Sequence, residues 1–207
     1  NELGAEVNAT NKDGWTAFHW AANNGHLDTF RVLVNELGVD VNTTNKCGSI
    51  AVHMAAVNGH TDTVRVLVNE LGADVNTTNK FGSTAVHIAA ANGHTDTLRV
   101  LVNELGTEVN ATNKDGWTAL HWAAEKGRLD TVRVLVNELG AEVNATNKDG
   151  WTAFHWAANN GHLDTLRVLV NELGADVNTT NKCGSIAVHM AAVNGHTDTV
   201  RVLVNEL

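Results

Sequence analysis

The chain has 207 residues, 43% of them apolar, and a formal net charge of −9. That is enough apolar material for a continuous core, and the negative balance excludes a general binder of nucleic acid or membrane surfaces, which need a net basic face. No apolar run approaches the ~18 residues of a membrane span, and the first residues carry no signal-like segment.

The tripeptide Asn-Glu-Leu begins at Asn1, Asn35, Asn69, Asn103, Asn137, Asn171 and Asn205, always 34 residues apart. A period of that length means stacked supersecondary units, each touching only its neighbours. It divides the chain into units 11–44, 45–78, 79–112, 113–146, 147–180 and 181–207, with 1–10 as the tail of a preceding unit. Residues 1–71 and 137–207 differ only at Phe30/Leu166 and Val39/Ala175, the mark of a longer duplication.

Within the first unit, Asn11-Lys12-Asp13-Gly14 is a turn cluster whose glycine can take a positive φ. Thr16 stands where an N-cap is needed, and Ala17, Phe18, Ala21 and Ala22 then recur at helical spacing to about Asn24. The alanines let a neighbouring helix approach closely, and Gly25 ends the segment. A second helix is predicted from Leu27 to Leu37, with Leu27, Phe30, Leu33, Val34 and Leu37 on one apolar face and Asp28 in its first turn. Gly38 is its expected stop, and 39–44 are expected to run extended into the next turn. Neither helix is long enough to be stable alone, so stacking must hold both.

Gly14-Trp15-Thr16-Ala17-Phe18-His19-Trp20-Ala21-Ala22, Gly25-His26 and Gly38-Val39-Asp40-Val41-Asn42 together resemble the ankyrin repeat, and the resemblance recurs in every unit. The wording around Trp15 is similar to ankyrin arrays of fungal multidomain proteins. Two departures stand out. The family's proline is alanine at Ala17, Ala51, Ala85, Ala119, Ala153 and Ala187, and the period is 34 where the family's usual repeat is about 33 residues. Alignment places the extra residue in Asn35-Glu36-Leu37. The resemblance implies an all-α ankyrin-repeat α-solenoid, helix-turn-helix plus an extended hairpin loop in each unit, roughly 50–60 Å long at about 8–10 Å per layer.

The chain's 11 histidines occupy two repeat positions, one headed by His19 and the other by His26. Equivalent histidines one unit apart are too far from each other for a metal, which needs its ligand nitrogens at about 2 Å. Arg128 also replaces the second histidine in unit four. By the resemblance, these side chains hydrogen-bond loop backbone. No nucleophile elbow, reactive-cysteine signature or phosphate cradle is present, so no enzyme activity, cofactor or metal is expected. Cys47 and Cys183 lie four units apart, roughly 30–40 Å, whereas a disulfide needs Cα atoms within about 7 Å. The expectation is a reduced, intracellular, cytoplasmic protein. Asn8, Asn42, Asn76, Asn110, Asn144 and Asn178 each begin an Asn-x-Thr glycosylation pattern, which a turn asparagine also explains.

The resemblance further implies that a protein partner binds at the turn tips and the exposed side of the first helix. In unit one these positions are Lys12, Asp13, Trp15, Asn23 and Asn24. Lys46 and Val57 follow in unit two, Lys80 and Phe81 in unit three, and Lys114, Asp115, Trp117, Glu125 and Lys126 in unit four. Unit five supplies Lys148, Asp149, Trp151, Asn159 and Asn160. Trp15, Trp117 and Trp151 suit binding anchors. They suit equally a packing role against Trp20, Trp122 and Trp156, a position expected to be core. Ile50 and Ile186 replace the threonine cap, which predicts softer second and sixth units unless Ser49 and Ser185 cap one residue earlier. Two functions follow: a protein–protein scaffold, or a structural protein that continues its stacking head to tail into filaments.

Overall fold

A threonine cap sets the start of the first helix in units one, four and five. In the computed structural model, which describes residues 4–207, α1 spans Ala17–Asn24 and Thr16 holds the extended N-cap conformation, φ −94° and ψ 172°. Its Oγ1 accepts the His19 N–H, while His19 Nδ1 accepts the Thr16 N–H at 3.2 Å. Gly25, at φ 72°, ends the helix in the left-handed region that an alanine there would find strained. The first helices of the later units are α3 (Ala51–Val57), α5 (Ala85–Asn92), α7 (Ala119–Glu125), α9 (Ala153–Asn159) and α11 (Ala187–Val193). Each packs on the next along the chain. The contact is close because paired alanines such as Ala55 with Ala56 and Ala89 with Ala90 lie fully buried between neighbours.

The second helix departs from the expected single α-helix. α2 (Leu27–Arg31) is α-helical for little more than one turn, and Val32–Glu36 then winds as a π-helix. The Leu37 N–H reaches back five residues to the Val32 carbonyl at 3.1 Å. The same change follows α4 (Thr61–Arg65), α6 (Thr95–Arg99), α8 (Leu129–Arg133) and α10 (Leu163–Arg167). A π turn is what one added residue makes of an α-helix whose two ends are fixed. The thirty-fourth residue of the period is thus absorbed as a wider turn beside the site expected for it. In the sixth unit α12 (Thr197–Asn205) is α-helical throughout.

After Gly38 the Val39 N–H returns six residues to the Leu33 carbonyl at 3.0 Å and closes the helix end. Residues 40–43 do not run extended. The Thr43 N–H bonds the Asp40 carbonyl at 3.1 Å, and Asp40 Oδ1 accepts the Asn42 N–H at 2.9 Å. The tail at residues 4–10 makes the same turn, with Ala9 N–H on the Glu6 carbonyl at 3.0 Å; the first Asn-Glu-Leu lies outside the described residues. No strand forms among the described residues.

One apolar core runs the length of the stack. Its centre is a row of second-helix leucines, Leu67, Leu101, Leu135 and Leu169, all at 0% exposure. Burying each contributes about 1.5–3 kcal/mol. Ile50 joins this core at 0% exposure, which alters the expectation for unit two. It makes no side-chain cap, and Ser49 Oγ makes none among the described residues, but His53 Nδ1 still accepts the Ile50 N–H at 3.2 Å. Burying an isoleucine outweighs the ~1 kcal/mol of a missing cap. The burial of Ile50 thus offsets the missing cap in unit two.

Candidate interaction surface

Polar couplings cross every unit junction and fix how the tips and first helices line up. The His19 ring lies between its own cap and the next unit. Nδ1 accepts from the Thr16 N–H, so the proton sits on Nε2, which donates to the Ser49 carbonyl at 3.2 Å. His53, His87, His121 and His155 repeat the bond to Ser83, Trp117, Trp151 and Ser185. Burial holds all five of these imidazoles below the usual histidine value, His121 at about 4, against opposing backbone hydrogen bonds that raise it. They are neutral structural groups.

The second row points backwards: His60 Nε2 donates to the Asn23 carbonyl at 3.0 Å and His94 Nε2 to that of Val57 at 2.9 Å. Arg128 keeps the bond from its own Nε to the Ala91 carbonyl at 3.2 Å, which explains why the histidine is replaceable there. The first row therefore bonds loop backbone, as the resemblance implied, whereas the second row bonds last-turn carbonyls of the preceding unit's first helix. Among the described residues, no three His, Cys, Asp or Glu side chains gather to hold a metal ion. Asparagines of the Asn-x-Thr pattern are also spent on junctions, with Asn42, Asn110 and Asn144 accepting from Asp74, Glu142 and Asp176 of the following unit.

On the far side, Arg65, Arg99 and Arg133 each clasp a glutamate in the next unit's π turn, and Arg167 meets Glu206 just beyond α12. Arg65 holds Glu104 through Nε and Nη2 at 2.8 and 2.7 Å, and Arg99 holds Glu138 likewise. The guanidinium hydrogen bonds keep Glu104, Glu138 and Glu172 below the usual carboxylate range. These pairs are exposed and are worth little each in stability. Their geometry is the informative part, since the end of each of these second helices presents its carboxylate to the arginine one unit back.

The sequence-predicted binding residues divide by accessibility. Lys12, Lys46, Lys80, Lys114 and Lys148 are exposed at the tips, where the Lys46 N–H bonds the Asp13 carbonyl at 2.9 Å and later tips repeat the link. Asp13, Asp115 and Asp149 are exposed beside them, Phe81 is 62% exposed, and Val57 is exposed. Lys126 pairs with Glu125 at 3.1 Å. The asparagines are engaged within the stack. Asn24 and Asn160 cap the carbonyls of Trp20 and Trp156, while Asn23 and Asn159 take bonds from Asn58 and Asn194.

The tryptophans pack on one another. Trp15 meets Trp20 with ring centroids 4.6 Å apart. In units four and five the rings form one continuous series, Trp122–Trp117–Trp156–Trp151, with centroid spacings of 4.5, 4.3 and 4.4 Å. The within-unit pairs match the packing reading. Sequence reasoning missed the Trp117–Trp156 contact across the junction, although consecutive units carrying both tryptophans were its signal. Trp20, expected as core, is 48% exposed. Trp156 has a preceding unit's indole over it, whereas Trp20 has only Trp15 of its own unit.

One family model, described as ankyrin repeats, matches residues 2–79, 71–147 and 139–207, so its copies overlap along almost the whole chain. The chain belongs to the ankyrin-repeat family. No curated protein matches it. Ankyrin repeats are in general protein–protein interaction modules and typically not enzymes. In this ankyrin array no helix among the described residues is long and apolar enough to cross a membrane. The face formed by its tips and first helices also holds a cleft of about 380 Å³ between units three and four.

Proposed function

We propose that this chain is a scaffold that binds a protein partner through the tips and first-helix face, without chemistry and without nucleic acid, in an intracellular, cytoplasmic setting. The observation that carries the reading is the contrast between the two faces. The second-helix face uses its charges on itself, in Arg–Glu clasps from one unit to the next. The first-helix face leaves Phe81, Val57 and the tip lysines open beside a series of indoles. Large apolar groups next to unpaired charges are what partner recognition uses.

A photo-crosslinking amino acid placed at Phe81, and separately at Asn69 on the opposite face, tests this in cells that express the chain. Discrete protein adducts at position 81 and none at 69 support the reading; the reverse pattern overturns it.

A second reading has its own observation. Unit six repeats the sequence of unit two, so Arg201 and His189 are the groups that in unit two hold Glu104 and the Ser83 carbonyl. Val193 and Val204 are 82% and 67% exposed there, and at the other end Val32 and Leu37 are 42% and 52% exposed. The 207-residue chain on its own then associates head to tail, and light scattering shows mass rising with concentration. Val204→Glu abolishes that rise; a constant mass near 22 kDa removes the reading.

A further inference from the structure

The indole series of units four and five stops short at unit three, and the repeat itself says what is missing. Trp156 lies against two rings, Trp151 of its own unit and Trp117 of the unit before it, at 4.4 and 4.3 Å. Trp122 stands one unit earlier and keeps the first of these neighbours, Trp117 at 4.5 Å. The second would come from the position one period before Trp117, which is Ser83. Ile88 likewise stands where unit four has Trp122. The cleft of about 380 Å³ opens at this place, lined by Ser83, Ile88, Ala91 and Trp122 with Phe81 at its edge. It is a vacant position in a stack of planar groups.

Its charge is as specific as its shape. Asp115 lines the same cleft, and no lysine or arginine does. Among the described residues the Asp115 carboxylate takes part in no ion pair and no hydrogen bond; only its backbone is engaged, accepting from the Lys148 N–H. A planar cation satisfies both features. A guanidinium stacks flat on an indole and forks onto a carboxylate, whereas an ammonium is compact, strongly hydrated and cannot stack. A neutral aromatic ring fits the gap but offers the carboxylate no charge partner. The chain's charge of −9 adds long-range attraction for a basic partner.

We propose that the cleft between units three and four receives an arginine side chain of the protein partner, its guanidinium lying on Trp122 and paired with Asp115. This rests on the reading that a partner docks on the first-helix face, and it names the chemistry of one contact there.

The test is an NMR titration of the ¹⁵N-labelled 207-residue chain with acetylated, amidated Gly-Xaa-Gly tripeptides, Xaa being Arg, Lys, Trp or Leu. The Trp122 indole signal is assigned by its loss in Trp122→Phe. The arginine tripeptide moves that signal saturably and binds about fivefold more tightly than the lysine one. Ser83→Trp fills the position with an indole and abolishes the response, and Asp115→Asn, an exposed change that leaves the fold intact, weakens it about fivefold. The proposal is overturned if Trp122 does not respond, if the lysine or tryptophan tripeptide binds as well as the arginine one, or if Asp115→Asn has no effect. No partner protein enters the titration. Its failure beside a positive crosslink at position 81 removes the arginine site alone, and a missing crosslink removes the docking face.

Discussion

Residues 45–71 and 181–207 have the same sequence, yet Ile50, Val52, His53 and Leu67 are buried while Ile186, Val188 and Leu203 are half-buried and His189 is exposed. Their backbones differ too. In the earlier copy the second helix turns π over Val66–Glu70, and in the later one it stays α-helical over Thr197–Asn205. Unit two has a unit stacked on it; unit six has none within the chain. The comparison teaches that the π turn is not written into Val-Leu-Val-Asn-Glu. It is the geometry the segment takes when a following unit packs on it; the Arg–Glu clasp does not require it, since Glu206 beyond the α-helical α12 still meets Arg167 at 3.0 Å.

The comparison breaks most readily at its buried leucines. Leu67→Ala is expected to cost about 3 kcal/mol in urea unfolding and Leu203→Ala about 1 kcal/mol, because only the first leaves a closed cavity. Equal costs for the two would show that stacking does not decide their worth.

Acid acts next, and only where a following unit buries the ring. His121 titrates at 6.5 in the unfolded chain and at about 4 when folded. Between those values the unfolded chain binds more protons, so the contribution is full above pH 6.5 and is lost as pH falls through about 4. For His121 the loss reaches up to about 3 kcal/mol. Denaturant midpoints measured from pH 7 to pH 4 should fall, and His121→Gln should flatten the decline.

Adding a further unit after Leu207 sharpens the comparison directly. A copy of residues 72–105 placed there should convert the end of α12 to a π turn and slow hydrogen exchange of Leu203 about tenfold, as unit interfaces add to the stability of neighbours. Unchanged exchange would return the difference to something other than stacking. The smallest effect belongs to the clasps. Arg65→Ala should lower stability detectably at low salt and not in high salt, with Arg201→Ala costing less at low salt because Arg201 holds only Asp198 of its own helix.

Most of the fold was legible because each unit carries its own local signals. The cap at Thr16, the break at Gly25 and the stop at Gly38 fall where the sequence placed them. The site was legible only in part. The tips and the tryptophan pairs could be located within one unit, but Trp117 on Trp156 spans a junction, as does the opening beside Trp122. A reading of one unit at a time cannot see either. It also placed Ile50 as a defect, because a lost cap is a local fact and the burial of Ile50 is not.

The sequence by itself determined the period, the helix pairs, the acidic character and the family, since the first is a spacing along the chain and the others depend on residues within one repeat or on their sum. Only the tertiary structure decided the π turn, the tautomer of the first-row histidines, and which face of Trp122 is left uncovered. Each of these is set by atoms one unit away, and identical residues settle differently when those atoms are absent.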